Sequence, residues 1–323
     1  MKRIIFIIFL FFCANIIYTS CDKEEEIEDI ESPFISGLTA LNYPKIDGST
    51  STAPLNTIIA CKLFGFDYKW IQSSHNGVWN VEPNFKWHAD NFSDKIKSSQ
   101  THNSIINLID KKADVILSAR KMSPDEKKYA DDMGVSLIET PIALDAFIFI
   151  AHPDNPIESL TTKQIQDIYT GKITDWKEVG LQHNVEIKPY VRNPYSGSQE
   201  LMESLVMKDL EFMEYLPTSY EVVIFTMQGA FEFVSVEVNS ICYTVYYYKE
   251  QMIRKEPFVK SISVNGIYPD KQTISNKTYP YVAEVYAVIR TDLDNSSMAY
   301  RLYEWLQTEE GKQVISESGY ITD

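Results

Sequence analysis

Strand-like and helix-like segments alternate along the chain from about Lys45, and this alternation restricts the fold more than any other feature. Apolar runs typical of buried strands occur at 115–117 and in "AFIFIAH", "SICYTVYYY" and "YVAEVYAVI". Between these runs, apolar residues repeat at helical spacing, and a last helix places Leu302, Trp305 and Leu306 inward. The pattern predicts an α/β fold built of packed layers.

The N-terminus has the pattern of an exported protein. Lys2 and Arg3 precede the apolar run "IIFIIFLFF", which is too short and too early for a membrane span. The following "YTSC" resembles a bacterial lipoprotein cleavage box. We therefore expect residues 1–20 to be a signal peptide and Cys21 to be the lipidated first residue of the processed protein. The acidic run after it predicts a solvated tether over 21–34.

Charge and cysteine content narrow the possible functions. The formal net charge is −15, which predicts no nucleic-acid partner, because a phosphate backbone is bound by a basic surface. An acidic protein can still bind a small anion through local dipoles and a buried arginine. Beyond the leader, Cys61 and Cys242 lie in apolar settings, and we expect two buried free thiols.

Two similar stretches place hydroxyl residues and a glycine directly before a helical pattern. They are "IDGSTSTAPLN" at 46–56 and "RNPYSGSQELME" at 192–203. One interpretation is helix capping, because Ser and Thr are good N-caps and Ser196 with Gln199 fits a capping box. The other is anion binding, because helix N-termini carry unpaired N–H groups and Arg192 can bind an oxyanion with two hydrogen bonds. The local sequence leaves both interpretations open.

Known catalytic and metal-binding motifs are missing from the sequence. It has no G-x-S-x-G, H-E-x-x-H, C-x-x-C or P-loop, and its five histidines lack metal-ligand spacing. We therefore predict neither a metal nor another cofactor. The segment 67–91 holds three tryptophans and two histidines with little periodicity. A sugar-stacking or metal site is one interpretation, and a surface insertion pinned by its aromatic side chains is the favoured one.

The order of several loose motifs is more informative than any one of them. "HPDNPIESLTTKQIQDIYTGKITDWKEVG" followed by "IKPYVRNPYSGSQELM" resembles the phosphate-binding proteins of the bacterial phosphate ABC importer. "IDGSTSTAPL", "ADVILSAR", "TYPYVAEVYAVI" and "EEGKQVISESGYI" also match family positions. The resemblance covers about residues 44–323, apart from the aromatic segment. It implies a type 2 periplasmic-binding-protein-like α/β fold, with two lobes of sheet flanked by helices and hinge strands beside a ligand cleft.

On this resemblance, the first lobe is expected at 35–146 plus 278–323 and the second lobe at 147–277. The family binds its anion at helix N-termini from both lobes. The matching positions, all expected to bind the ligand, are Ser49, Thr50, Ser51, Thr101, Ser104, Ser118, Arg192, Ser196, Gly197 and Ser198. The two hydroxyl stretches would then face each other across one cleft, which favours anion binding over capping alone.

One position departs from the family pattern. Many members carry an acidic residue directly after the serine that matches Ser118, and here that position is Ala119, followed by Arg120. A dry phosphate site needs an acceptor for the proton that phosphate keeps near neutral pH, and the same acceptor repels sulfate. Asp47, at a strand end, is the first candidate for this acceptor and Asp145, at the expected hinge, is the second. The alternative for Asp47 is a bond to the backbone of its own turn.

The combined prediction is a lipid-anchored, monomeric solute-binding protein of the bacterial cell envelope. It would capture phosphate or a similar oxyanion by hinge closure and pass it to an ABC permease in the membrane. A phosphoesterase using one clustered serine is an alternative, although no histidine or metal motif is placed to activate a serine. A surface sensor or binding module for a non-phosphate ligand is another, for which the aromatic segment is the supporting feature. No enzyme activity is predicted.

Overall fold

The computed structural model describes most of the chain beyond the leader. The described residues are 30–75, 77–83, 94–214, 223–224, 226–254 and 258–322, with the backbone alone at 223–224. The predicted signal peptide, Cys21 and most of the tether lie outside these residues, as do Trp87 and His88 of the aromatic segment. Among the helices described, none is long and apolar enough to cross a membrane.

Strands and helices alternate through the described residues. The strands there are β1 (Ile46–Gly48), β2 (Tyr68–Gln72), β3 (Trp79–Pro83), β4 (Val115–Ser118), β5 (Leu137–Ala151), β6 (Ser159–Leu160), β7 (Lys188–Pro189), β8 (Val191–Arg192), β9 (Val223–Ile224), β10 (Ser240–Val245), β11 (Lys260–Val264) and β12 (Val282–Arg290). The α-helices are α1 (Ala53–Phe64), α2 (Thr101–Ile109), α3 (Pro124–Asp132), α4 (Thr162–Tyr169), α5 (Gly197–Leu201), α6 (Met227–Val236), α7 (Lys271–Ser275), α8 (Met298–Trp305) and α9 (Glu309–Glu317). The predicted α/β class is confirmed.

One long strand connects two parts of the main sheet. Six strands run in the order β1-β4-β12-β5-β10-β7, and β11 pairs with both β5 and β6. Residues 137–146 of β5 pair antiparallel with β12, whereas 147–151 pair antiparallel with β10. The partner changes between Ala146 and Phe147, so β5 carries the chain from one part of the sheet into the other. The predicted lobe bounds stay a prediction, and this change of partner lies at one of them.

Buried apolar side chains fix the strands in place. Every residue of β4 and β10 is buried, as are residues 142–151 of β5. Such near-continuous apolar runs are typical of strands covered on both faces. Phe147 packs against Phe149 and Tyr243 with ring centroids 5.4 and 5.3 Å away. Cys61 and Cys242 are buried and free, as predicted.

Two elements differ from the sequence prediction. "SICYTVYYY" is a strand only over β10, because the chain winds into a π-helical turn at Tyr248–Ile253. The expected last helix is two helices, α8 and α9. Thr308 begins the second one, since its Oγ1 accepts a hydrogen bond from Gly311 N at 3.2 Å. A Cβ on Gly311 would lie only 2.2 Å from Trp305 O, so the chain turns too tightly there for any larger residue.

The described part of the aromatic segment is a hairpin on the surface. β2 and β3 pair antiparallel, with Trp70 opposite Val81. The guanidinium of Arg254 lies 4.2 Å from the ring centre of Trp70 and 5.3 Å from that of Trp79. Such cation–π contacts hold aromatic side chains in place. This geometry agrees with the favoured interpretation, an insertion pinned by its aromatic side chains.

Candidate functional site

A small cavity of about 30 Å³ joins the two hydroxyl stretches. Predicted ligand-binding residues form most of its lining: Ser49, Thr50, Ser51 and Thr101 on one side, which we call the serine wall, and Arg192, Ser196, Gly197 and Ser198 on the other, which we call the arginine wall. The remaining described lining residues are Gln100, Ala119, Leu201, Met227 and Val245. Since one water needs about 10–15 Å³, the cavity suits a ligand of only a few atoms.

The serine wall is ordered by the end of β1 and the turn before α1. Thr52 Oγ1 donates to Ser49 O at 3.0 Å, and a Cβ on Gly48 would lie 2.5 Å from Thr52 Oγ1, so only glycine fits. Ser49 Oγ accepts a hydrogen bond from Ala119 N at 2.9 Å and is bonded to Thr101 Oγ1 at 2.8 Å. Neither Ser49 nor Thr52 caps a helix through its side chain. The capping interpretation is therefore wrong for this stretch.

The arginine wall runs from the end of β8 into α5. Ser196 Oγ accepts a hydrogen bond from Gln199 N at 3.0 Å, so Ser196 caps the helix as predicted. The reciprocal bond of the expected capping box is not made. Gln199 Oε1 instead accepts from Arg192 N at 3.1 Å and from the hydroxyl of Tyr243. These two bonds fix the backbone of Arg192 beside the cavity.

The two walls lie close together at Gly197. A Cβ on Gly197 would lie 2.5 Å from Thr101 Oγ1, which is closer than any real Cβ contact. Nearby, the rings of His102 and Tyr195 are 5.2 Å apart and join the same two segments of the chain. The absence of a side chain at Gly197 is thus what lets the walls meet.

Arg192 is the only formally charged residue among the described residues that line the cavity. It is 3% exposed, and burial lowers the pKa of its guanidinium, which still stays protonated because the ordinary pKa of arginine is so high. Bringing a cation into the protein interior is costly unless opposite charge or hydrogen-bond acceptors face it. Hydroxyl groups from both walls line the same cavity. The described lining is therefore suited to an oxyanion.

Two residues of this region were missed by sequence reasoning. Gln100 lines the cavity with a φ of 71°, in the left-handed region that favours glycine, directly before α2 begins. No sequence signal marks a glutamine in that conformation. Tyr243 lies beneath the arginine wall, 44 residues along the chain from its partner Gln199, so no local pattern links the two.

Three predicted residues do not line the cavity, and two of them are serines. Ser118 Oγ donates to Arg120 O at 2.5 Å, and Ser104 Oγ donates to Thr101 O at 2.9 Å. Both serines are fully buried. Their hydroxyls are used to hold the backbone behind the serine wall.

The third is Asp47, the first candidate for the proton acceptor. Its Oδ1 accepts hydrogen bonds from Gly48 N at 2.7 Å and Ser99 N at 2.8 Å, and its Oδ2 accepts from Asn107 Nδ2 at 2.8 Å. It lies behind the serine wall and does not reach the cavity. The expectation that Asp47 faces the ligand is corrected: its bond to Gly48 N fits the turn-holding alternative.

Asp145, the second candidate, also lies outside the cavity. Its Oδ1 accepts from Ala146 N at 2.8 Å and Tyr247 N at 2.9 Å, whereas its Oδ2 has no hydrogen-bond partner among the described residues. Burial raises the pKa of this carboxyl to about 7, against the lowering effect of the two backbone bonds. Asp145 is therefore a titratable group at the change of partners in β5 rather than a ligand contact.

Arg120, which follows Ala119, is bound to Glu126. Its two terminal nitrogens donate to the two carboxylate oxygens at 2.7 and 2.8 Å, and His102 Nδ1 lies 2.9 Å from Glu126 Oε1. Burial raises the pKa of Glu126, but the bonds and charge of Arg120 together with the bonds from Ser123 N and His102 lower it overall. The positive charge at Arg120 is thus compensated within the first part of the chain. In the residues described, no group of His, Cys, Asp and Glu is arranged to hold a metal.

Comparison with known proteins assigns the family. The PBP superfamily domain matches residues 72–310, and the chain therefore belongs to the PBP superfamily. It is 27% identical over 246 residues to the phosphate-binding protein PstS of Staphylococcus epidermidis, covering 74% of this chain and 73% of that protein. To PstS of Borreliella burgdorferi it is 26% identical over 186 residues, covering 57% of this chain and 65% of that protein, just under two thirds. The chain is a PstS-like member of this superfamily.

A solved structure agrees in fold. The ABC-type phosphate transport receptor of Vibrio cholerae superposes with a TM-score of 0.60 at 21% identity, covering 86% of this chain and 99% of that chain. The predicted two-lobed α/β fold is confirmed by this likeness and by the family match.

Proposed function

We propose that this chain is a solute-binding protein that captures phosphate, or a similar oxyanion, between the serine wall and the arginine wall. The observation that carries the proposal is the buried Arg192 in a cavity with hydroxyl groups from two distant segments. Hydrogen bonds to charged groups contribute about 1.5–3 kcal/mol each, which makes the guanidinium the strongest partner for the anion. The names of the PstS relatives support phosphate as that anion.

The second part of the proposal is delivery to an ABC permease. The transport receptor of similar fold from Vibrio cholerae supports this role. β5 runs from one part of the sheet into the other, so bending where its partner changes would open and close the cavity. Binding rather than catalysis is supported by the hydroxyl contacts: in the described part, no hydrogen bond joins a cavity serine to a histidine that could activate it.

Titration calorimetry of the purified protein with inorganic phosphate tests the binding role. We expect one phosphate per chain and, in a parallel assay with a chromogenic phosphoester, no hydrolysis. A flat calorimetric trace at millimolar phosphate would contradict the proposal. Hydrolysis that disappears when Ser198 is replaced by alanine would favour the phosphoesterase instead.

We also propose that the protein is anchored to a bacterial membrane through lipid on Cys21. The support is the position of "YTSC" directly after the apolar leader. Several acyl chains on one residue give stable anchoring, because each buried CH₂ contributes about 0.8 kcal/mol. Cys21→Ser should move the protein from the detergent phase to the aqueous phase in phase partitioning. Cys13→Ser, directly after the apolar run, is the matched control and should leave partitioning unchanged; equal behaviour of both variants would contradict the anchor.

A further inference from the structure

A second cavity lies directly beside the first. It measures about 480 Å³, and it shares Ala119 and Leu201 with the lining of the smaller cavity. The side chains of Ala119 and Leu201 thus border both spaces. A volume of this size falls in the range that binds small organic molecules.

The lining of the second cavity combines charges of both signs with an apolar floor. The charged lining residues are Arg120, Lys121 and Lys277 with Glu200 and Glu284. Lys121 Nζ lies 5.5 Å from the ring centre of Tyr286, whose hydroxyl donates to Glu284 Oε2 at 2.5 Å. Burial raises the pKa of Glu200. Because Arg120 is already paired with Glu126, two lysines and two glutamates remain, and the cavity offers both donors and acceptors without an excess of one charge.

We propose that the site binds a phosphate monoester of a hydroxylated alcohol, with the phosphoryl group in the small cavity and the organic group in the second. The inference rests on the proposed function, because it places the phosphoryl group between the same two walls. A hydroxyl group both donates and accepts, so it satisfies lysine and glutamate side chains alike, whereas an ammonium or carboxylate would be repelled by one of them.

The ionisation of a monoester also matches the smaller cavity. Above about pH 6 a monoester has lost both acidic protons, so it needs hydrogen-bond donors alone. The described lining supplies a guanidinium and hydroxyl groups and includes no carboxylate. The fourth oxygen of the phosphoryl group, which carries the ester, would point past Ala119 and Leu201.

Calorimetry with three ligands and one blocking variant tests the inference. The ligands are inorganic phosphate, glycerol 3-phosphate and propyl phosphate, which keeps the three-carbon chain without its hydroxyl groups. We expect glycerol 3-phosphate to bind about tenfold more tightly than propyl phosphate. Ser204 is exposed at the second cavity, and Ser204→Trp should weaken glycerol 3-phosphate about tenfold while changing inorganic phosphate less than about twofold.

Ser235→Trp is the matched control. Ser235 makes the same kind of helical bond, donating to Glu232 O at 2.9 Å as Ser204 donates to Glu200 O at 2.7 Å, but it lies away from both cavities. It should leave all three affinities unchanged. Binding of phosphate without glycerol 3-phosphate, or equal weakening of both by Ser204→Trp, would overturn the inference and leave the proposed function intact. Failure of all three ligands to bind would overturn both.

Discussion

The serine wall and the arginine wall are both backed by a buried hydrogen-bond acceptor, but the two acceptors differ in charge. Behind the serine wall, the carboxylate of Asp47 accepts bonds from Gly48 N, Ser99 N and Asn107 Nδ2. Behind the arginine wall, the neutral amide oxygen of Gln199 accepts from Arg192 N and from a tyrosine hydroxyl. The negative charge of Asp47 and the positive charge of Arg192 therefore belong to opposite walls of the cavity.

This difference separates charge from geometry in the proposed site. The arginine wall supplies the positive charge. The amide of Gln199 behind it is neutral, so it does not compete with an anionic ligand for Arg192. The serine wall supplies hydroxyl groups whose positions depend on Asp47, a carboxylate that already accepts hydrogen bonds from three donors. A substitution at Arg192 should therefore act on affinity, whereas one at Asp47 should act on stability.

The largest effect is expected for Arg192→Ala. Removing the guanidinium should weaken phosphate at least about 100-fold, since it deletes charge-assisted hydrogen bonds and the only formal charge of the described lining. Calorimetry measures the loss, with circular dichroism to check the fold. Arg301→Ala is the control, because Arg301 donates to Ser36 O far from the cavity. An unchanged affinity of Arg192→Ala for phosphate would show that the guanidinium does not bind the anion.

Asp145 is a buried residue that belongs to neither wall, and its carboxyl group should make the stability of the protein depend on pH. The folded protein holds its proton up to about pH 7, whereas the unfolded chain releases it near pH 4. Between these values the unfolded state binds fewer protons, so this group's contribution to stability falls as pH rises. Over pH 5 to 7 the loss should be roughly 2 kcal/mol. Urea denaturation across this range should show that part of the pH dependence vanish in Asp145→Asn, while exposed Asp154→Asn keeps it; equal slopes in all three proteins would contradict the prediction.

Gly197→Ala probes the contact between the walls. The added methyl group would meet Thr101 Oγ1, so the walls would be held apart and phosphate should bind about tenfold more weakly. The free energy of unfolding should change little, because alanine favours a helix over glycine by about 1 kcal/mol and this gain offsets the strain of the new contact. In a Thr101→Ala background the same substitution should reduce phosphate affinity less, since the clashing atom is gone. Equal losses of phosphate affinity in both backgrounds would show that the contact between Gly197 and Thr101 does not control how closely the walls approach.

The smallest change in binding is expected for Asp47→Asn. The amide keeps one acceptor oxygen but turns its nitrogen toward a donor, so about 1–3 kcal/mol of the free energy of unfolding should be lost. Preference for phosphate over sulfate should stay as in the unaltered protein, because Asp47 does not reach the cavity. Denaturant unfolding and a paired competition titration measure the two quantities. A narrowed preference would instead place the carboxylate in contact with the ligand.

The sequence predicted the fold and the lining better than the supports behind the lining. At Ser51 and Ser198 local patterns left capping and anion binding both open, and the match to family positions predicted them as lining residues. Local patterns failed for Asp47, because its carboxylate is held by Ser99 and Asn107, which lie 52 and 60 residues away. They failed for Gln100 as well, since a positive φ is uncommon for a glutamine and its residue type does not signal one.

The most direct test is a crystal structure of the protein grown with arsenate, whose arsenic atom is located by anomalous scattering. The account predicts one anomalous peak in the small cavity, with oxygens about 2.7–3.2 Å from the guanidinium of Arg192 and from hydroxyl groups of both walls. A peak on one wall only, a peak elsewhere in the molecule, or an empty cavity at saturating arsenate would contradict it.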